Sequence, residues 1–346
     1  MPQKLFNNKK KKLSRRTLFM VLALLATTVI FFLQSISTPN NEPLPTLNAI
    51  QSNKHNHFIE FSTINDADNN RVLAFRFVNL EKENVQMHTN DGKLQISVTD
   101  VYHEYDFSQK THVSDVATVQ QIGDDSIVFS LPLERLGPYQ VTIDEDGIFI
   151  KILDWGLEGK KIVIDPGHGY PDGGAQGPTG TLEKDVVLDI SLKLKEILES
   201  KGAEVLLTRS DDYRPYPTSY VQDLWTRVEM AEDFGAHLFI SIHNNASDIS
   251  SVQGIETFYN PNVIQGHNNK KLAEVLQEQL STDIERRDRG IHPANFTVLS
   301  SDQFIGALVE LMFITNPTEE LMLSNSDMIE KIAQSLAEGI ESFFAN

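Results

Sequence analysis

The chain has 346 residues, no cysteine and a formal net charge of −18 at pH 7. This length is sufficient for about two domains, and the lack of cysteine excludes disulfides, thiolate metal ligands and a lipoprotein anchor. An acidic chain is also a poor partner for nucleic acid, because phosphate backbones are bound by basic surfaces. We therefore predict two folded parts and no binding to nucleic acid, and we also expect a monomer.

The first 36 residues combine a basic run with an apolar run. Lysines and arginines between Lys4 and Arg16 precede Thr17 to Ile36, about twenty uncharged residues, which is enough for a membrane-spanning helix. Basic residues before such a helix place that end in the cytoplasm. We predict an uncleaved, single-pass anchor in the cell membrane, with the rest of the chain extracytoplasmic. Cleavage near Ser35 would give a secreted form instead, and Ser14 to Phe19 resembles a twin-arginine export signal.

A polar, proline-containing stretch follows the apolar run, and it is typical of a linker. Beyond it, apolar side chains recur at every second position, as in half-buried strands. The clearest runs are Leu73, Phe75 and Phe77, then Leu94, Ile96 and Val98, then Ile127, Phe129 and Leu131. Two further runs flank Asp144 to Gly147, which predicts a hairpin. We predict a small antiparallel β domain with one buried face.

The last part of the chain alternates short apolar strands with amphipathic helices. This order predicts an α/β fold with an open, largely parallel twisted sheet and helices on both faces. One of its predicted strands is Phe296 to Leu299. The predicted segments are a basic cytoplasmic tail at 1–16, a transmembrane anchor at 17–36, a linker at 37–57, the β domain at 58–153 and the α/β domain at 154–346.

Three polar residues stand where elements of the α/β domain begin or end. His168 follows the strand in KIVIDPGHG, His243 ends the strand in LFISIHNNAS, and Glu183 opens a helix after a glycine-rich loop. Open α/β sheets keep their sites at the carboxyl ends of strands. A lone histidine in such a loop is more often a structural hydrogen-bonding group, but two histidines and a carboxylate are the ligands of an open catalytic zinc site. We predict that these three residues bind Zn2+.

Glu310 lies inside the apolar strand of GALVELMFITNP. A buried carboxylate is costly unless it is paired or lies near a metal. Glu310 is therefore the candidate for the general base.

Several of these motifs together resemble one family. They are IVIDPGHG, GTLEKD, LLTR, SIHNNAS, GIETFY, RGI followed by FTVL, and LVELMFITNP. In matching order and spacing over residues 160–344, the chain resembles the zinc-dependent N-acetylmuramoyl-L-alanine amidases of type 3, which are bacterial cell-wall hydrolases. The resemblance implies that His168, Glu183 and His243 bind zinc and that Glu310 is the catalytic glutamate. It also implies that peptidoglycan is cleaved between N-acetylmuramic acid and L-alanine.

Other features of the resemblance leave alternatives open. The β strands loosely resemble AMIN domains, so wall targeting and a packing or spacer role are both open for this part. Arg289 and Asn295 are candidates to line the substrate groove. Arg227 matches an arginine of the family, but a surface ion pair explains it equally well. Asp165 either orients a ligand or its loop, or forms an Asx turn before Pro166.

Two other functional classes compete with the amidase. A zinc peptidase of a related α/β class would use the same metal chemistry on free peptides. A non-catalytic, membrane-tethered wall-binding protein would have lost a ligand or the base, whereas all four residues are present here.

Overall fold

The computed structural model describes residues 56–67, 70–103, 111–112 and 116–345. The predicted cytoplasmic tail, the predicted anchor and all but the end of the predicted linker lie outside these residues. Within the described part of the chain, none of the helices has both the length and the apolar character needed to span a membrane. Residues 53–346 form one compact unit.

The first part of this unit contains two five-stranded sheets. Their strands are β1 (Asn56–Asn65), β2 (Arg71–Val78), β3 (Val85–Asn90), β4 (Lys93–Val98), β5 (Val101–Tyr102), β6 (Thr111–His112), β7 (Thr118–Ile122), β8 (Ser126–Pro132), β9 (Tyr139–Asp144) and β10 (Gly147–Ile152). The strand orders are β5-β1-β2-β10-β9 and β3-β4-β8-β7-β6. All neighbours are antiparallel except β1 and β5.

The alternating apolar residues explain how the two sheets meet. Phe75 of one sheet and Phe129 of the other have ring centroids 4.5 Å apart, within one shared core. The predicted hairpin is confirmed, because Asp144 pairs with Gly147 at the turn between β9 and β10. The sequence predicted antiparallel strands with one buried face, whereas the number of sheets emerged only from the structure, since alternation does not say which strands pair. The first strand also begins at Asn56, inside the predicted linker.

The second part is a six-stranded mixed sheet with five helices. Its strands are β11 (Lys161–Pro166), β12 (Glu204–Leu207), β13 (Leu238–Asn245), β14 (Ile255–Tyr259), β15 (Asp288–Pro293) and β16 (Ile305–Phe313), and its helices are α1 (Glu183–Ser200), α2 (Tyr220–Phe234), α3 (Gly266–Ile284), α4 (Pro317–Leu323) and α5 (Ser326–Ala345). The order is β12-β11-β13-β16-β14-β15. Only the β14–β16 pair is antiparallel among the pairs described.

Helices cover both faces of this sheet, as predicted for an α/β domain. The helices α1, α3 and α5 share one apolar core with the sheet, and α2 packs with a second core on Val163 and Phe239. The predicted strand from Phe296 to Leu299 is wrong, because Thr297–Leu299 is a 3-10 turn. Val298 and Leu299 are buried in the second core, and a short apolar run has the same pattern in a buried turn as in a strand.

Strand β9 ties the two parts together. The Gln265 side chain accepts from the Val141 amide at 3.3 Å and donates to the Val141 carbonyl at 2.8 Å. Asn268 donates to the Tyr139 carbonyl at 2.9 Å, and Gln140 donates to the Ala236 carbonyl at 3.0 Å. These hydrogen bonds of side-chain amides are buried or partly buried. In each of them the side chain takes the place of water at a backbone group. The β part is therefore packed directly on the α/β part.

Candidate functional site

Four polar side chains meet at the carboxyl ends of the parallel strands. His168 follows β11, Glu183 opens α1, His243 lies in β13 and Glu310 lies in β16. His243 and Glu310 are direct partners in the register of β13 and β16. This edge is where an open α/β sheet places its ligands, so the topology itself brings the predicted residues together.

Glu183 joins the two histidines. Its Oε1 lies 3.1 Å from His168 Nε2 and 3.0 Å from His243 Nδ1. One ligand atom from each residue lies within 4.8 Å of the others, so the group could hold a metal ion. The Glu183 carboxylate also accepts from the Asn244 amide at 3.0 Å and from the Ala175 amide at 2.8 Å. These backbone donors fix the carboxylate between the imidazoles.

Asp172 orients His168, and the sequence prediction missed it. Its Oδ2 lies 2.9 Å from His168 Nδ1, which turns Nε2 of the ring towards Glu183. Such a carboxylate–histidine pair fixes the tautomer and the direction of a metal-binding ring. An aspartate four residues after the histidine, in the same loop, was the available signal.

Glycines allow the close packing of these side chains. A Cβ at Gly167 would overlap the His243 ring, and a Cβ at Gly174 would lie 2.6 Å from Glu183 Oε2. His168 itself has a φ of 62°, a left-handed conformation that few non-glycine residues adopt. The PGHG motif and the glycine-rich loop therefore serve side-chain packing at the cluster.

The charges of the cluster are mutually dependent. Burial disfavours the protonated imidazole, but hydrogen bonds to Glu183 and Asp172 outweigh burial and raise the pKa of His168 to about 9. Burial likewise favours the neutral acid at Glu183, yet hydrogen bonds from His168 and His243 hold the pKa of Glu183 well below its usual range. The carboxylate is therefore ionised at neutral pH, as a metal ligand must be.

Glu310 has the environment of a general base. Burial raises the pKa of Glu310 to about 7, with His243 opposing the rise and Glu183 and Glu256 adding to it. Its Oε2 is buried and has no hydrogen-bond partner among the described residues. Glu310, His168 and His243 line one cavity of about 300 Å³. Because Glu310 is only partly buried as a residue and lines this cavity, its carboxylate is placed beside any molecule bound there.

A buried ion-pair network lies beneath His168. Arg227 Nη1 donates to Asp165 Oδ1 at 2.7 Å, and Arg227 Nε donates to Asp223 Oδ2 at 3.0 Å. Arg227 Nη2 also donates to the His168 carbonyl at 2.6 Å. Arg227 is 2% exposed, so the interpretation of a surface ion pair is wrong. Asp165 is connected to the loop of His168 through Arg227. It also accepts hydrogen bonds from the hydroxyls of Thr208 and Ser241.

The two predicted substrate-groove residues have different surroundings. Asn295 lines the cavity, and its Oδ1 accepts from Asn262 Nδ2 at 2.8 Å. Arg289 donates to Glu256 Oε2 at 3.0 Å and lies 4.9 Å from the centroid of the Phe313 ring. Glu256 in turn is opposite Glu310 in the β14–β16 register. Substrate contact stays a prediction for both residues.

The fold and the site together define a protein of the α/β class, with a histidine–carboxylate cluster that could hold a metal ion. The chain belongs to the N-acetylmuramoyl-L-alanine amidase family, whose sequence model, Amidase_3, matches residues 162–342. It is an amidase by this membership.

Individual relatives match just over half of the chain. The N-acetylmuramoyl-L-alanine amidase LytC of Bacillus subtilis is 41% identical over 186 residues, which is 54% of this chain and 36% of LytC. The germination-specific N-acetylmuramoyl-L-alanine amidase of B. subtilis is 34% identical over 54% of this chain and 81% of its own length. The CwlD amidase of Clostridioides difficile, solved in complex with the GerS lipoprotein, has a TM-score of 0.51 at 33% identity, covering 54% of this chain and 99% of that one. The match thus spans about a third of LytC.

The buried network yields a stability prediction. Arg227→Met leaves Asp165 and Asp223 buried without their cation, so we expect a loss of about 3 to 5 kcal/mol in the free energy of unfolding. Urea denaturation measures this loss. Arg287→Met is the matched control, because Arg287 is exposed and such surface changes stay within about 0.5 kcal/mol. Equal stability of the two variants would contradict the structural role of Arg227.

Proposed function

We propose that the chain hydrolyses the amide between N-acetylmuramic acid and L-alanine of peptidoglycan, and that it does so with zinc held by His168, Glu183 and His243. Family membership supports the reaction. The observation that carries the mechanism is the free, buried Oε2 of Glu310 beside the histidine–carboxylate cluster in one cavity.

The residues of the cluster fit a zinc ion. Two imidazole nitrogens and one carboxylate oxygen converge within 4.8 Å, and this donor set is one of those found in catalytic zinc sites with an open position. Asp172 supplies the outer hydrogen bond that such histidines usually make. When bound, zinc would polarise the scissile carbonyl, acidify water to a pKa of roughly 7 and, by its charge, favour the ionised form of Glu310.

Glu310 carries the proton in this mechanism. Its carboxylate accepts a proton from the attacking water, whose oxygen bonds to the carbonyl carbon. The carbon–nitrogen bond then breaks, and Glu310 returns the proton to the departing amine of L-alanine. Burial raises the pKa of Glu310 to about 7, against the lowering that bound zinc would cause, and a pKa near the working pH suits a group that must accept and then donate.

A substitution of the base tests this mechanism. Glu310→Gln keeps the shape of the side chain but cannot accept the proton, so we expect hydrolysis to fall by about 10² to 10⁴ with bound zinc unchanged. The assay combines release of new L-alanine amino groups from purified peptidoglycan with metal content by atomic emission. Glu278→Gln, an exposed glutamate of α3, is the control.

Three other outcomes of the same assay would contradict the proposal. Undiminished hydrolysis by Glu310→Gln would remove Glu310 from the mechanism. Cleavage of free peptides with peptidoglycan untouched would identify a peptidase. Neither zinc nor cleavage in the wild type would identify a wall-binding protein.

The outer hydrogen bond to His168 gives a separate prediction for the metal. Asp172→Asn weakens the bond that orients the His168 ring, so we expect zinc affinity to fall by about 10- to 100-fold. Competition with a chromogenic zinc chelator measures the affinity, and Asp189→Asn, an exposed aspartate of α1, is the control. Equal affinities in the two variants would exclude Asp172 from the support of the metal site.

We further propose that Thr17 to Ile36 anchors the chain in the cell membrane, with residues 37–346 extracytoplasmic. The uncharged run and the basic residues before it support this orientation. We expect the chain to stay in the membrane pellet after carbonate extraction and to be digested by protease added to intact protoplasts. A shortened chain in the medium that begins near Ser37 would instead identify the secreted form.

A further inference from the structure

Exposed aromatic side chains lie around the cavity of the site. Tyr170 is in the loop after β11, and Phe296 precedes the 3-10 turn. The segment between β12 and α2 contains Tyr213 and Tyr216, and α2 begins at Tyr220. Each of these residues is between 40% and 58% exposed. Exposed apolar groups that adjoin one another mark a surface that binds something.

Tyr170 and Tyr213 form a preorganised pair. Their ring centroids are 5.4 Å apart, with an angle of 73° between the planes. The Tyr170 amide donates to the Asp212 carbonyl at 2.5 Å, and the Arg214 amide donates to the Tyr170 carbonyl at 3.4 Å. A Cβ at Gly169 would lie 2.6 Å from the Arg214 nitrogen, so the two loops are in close contact. A ligand that stacks on rings held in this way loses little conformational entropy.

The pair adjoins the cavity. His168 and Asp172 stand two residues before and after Tyr170, and both line the cavity. Two residues span at most about 7 Å of chain. Tyr220 and Phe296 line the same cavity directly, so aromatic side chains stand both at the cavity and in the loops next to it.

The charge around the pair favours a neutral ligand. Lys184 bonds both Asp185 and Asp212, and Arg209 donates to the carbonyl of Asp211 while Arg214 follows Tyr213 directly, so acidic and basic groups nearly balance around the pair. Such a surface offers no net positive charge to the carboxylates of a stem peptide. A sugar ring, by contrast, has an apolar C–H face and polar edges, which complement the apolar ring and polar tip of tyrosine.

We propose that Tyr170 and Tyr213 bind neutral sugar rings of the glycan strand beside the scissile amide. The inference rests on the proposed function, because a polymeric substrate extends beyond a cavity of about 300 Å³. The tyrosine pair is then a saccharide subsite, separate from the residues that bind the metal and move the proton.

Calorimetric titration with a neutral hexamer of β-1,4-linked N-acetylglucosamine tests this subsite, using the full chain in a non-glycosidic detergent. We expect the wild type to bind and Tyr213→Ala and Tyr170→Ala each to bind about three- to tenfold more weakly. Tyr102→Ala is the matched control, because Tyr102 is 48% exposed in the β part and packs on another ring, that of His57, at 5.0 Å. Unfolding midpoints establish that the variants are folded.

Failure of this inference is distinguishable from failure of the proposed function. Absence of hexamer binding by the wild type, or equal losses in Tyr213→Ala and Tyr102→Ala, would overturn the saccharide subsite even where peptidoglycan is hydrolysed. Binding of a free stem peptide that weakens in Tyr213→Ala, with hexamer binding intact, would assign the pair to the peptide instead. A wild type that releases no L-alanine amino groups refutes the amidase reaction whatever the sugar binding.

Discussion

The Arg227 guanidinium is the contact on which the site depends. It bonds Asp165 at the end of β11, Asp223 of its own helix α2 and the carbonyl of His168. A buried cation is tolerated only when its donors are satisfied, so these acceptors must stay in place together. The helix on one face of the sheet, the end of a central strand and the loop that carries His168 are thereby fixed to one another, although Arg227 itself has no role in the proposed proton transfer.

The sequence was sufficient to predict which residues come together in the cluster, but not which residues hold them in place. His168, His243 and Glu310 could be predicted because strand ends in an open sheet are where polar side chains converge, and an acid in an apolar strand is conspicuous. Asp172 had only its spacing of four residues from His168 as a signal, and Arg227 only its match to an arginine of the family. Their roles follow from the turn at His168, with φ of 62°, and from burial, and local sequence patterns report neither.

The fold shows the same division between local and long-range information. Alternation placed the strands around Phe75 and Phe129 correctly, since each strand buries one face. It could not show that they belong to opposite sheets, nor that Gln265 and Asn268 would bond β9 from the α/β part. Phe296 to Leu299 was mistaken for a strand because a short, mostly apolar run fits a buried turn as well. Pairing partners are set by tertiary packing, which a periodicity does not encode.

One continuous segment links Glu310 to the loop between His168 and Glu183. Ten residues after Glu310, Glu320 of α4 accepts from the Thr179 amide at 2.9 Å and from its hydroxyl at 2.8 Å, and a Cβ at Gly177 would overlap its carboxylate. The same glycine-rich loop supplies the Ala175 amide that bonds Glu183. The buried carboxylate of Glu320 thus fixes the loop that positions Glu183, and the sheet fixes the strand that carries Glu310. The distance between Glu310 and the histidine–carboxylate cluster is consequently set by the fold. A proton transfer over hydrogen-bond distances requires groups that are held in place in this way.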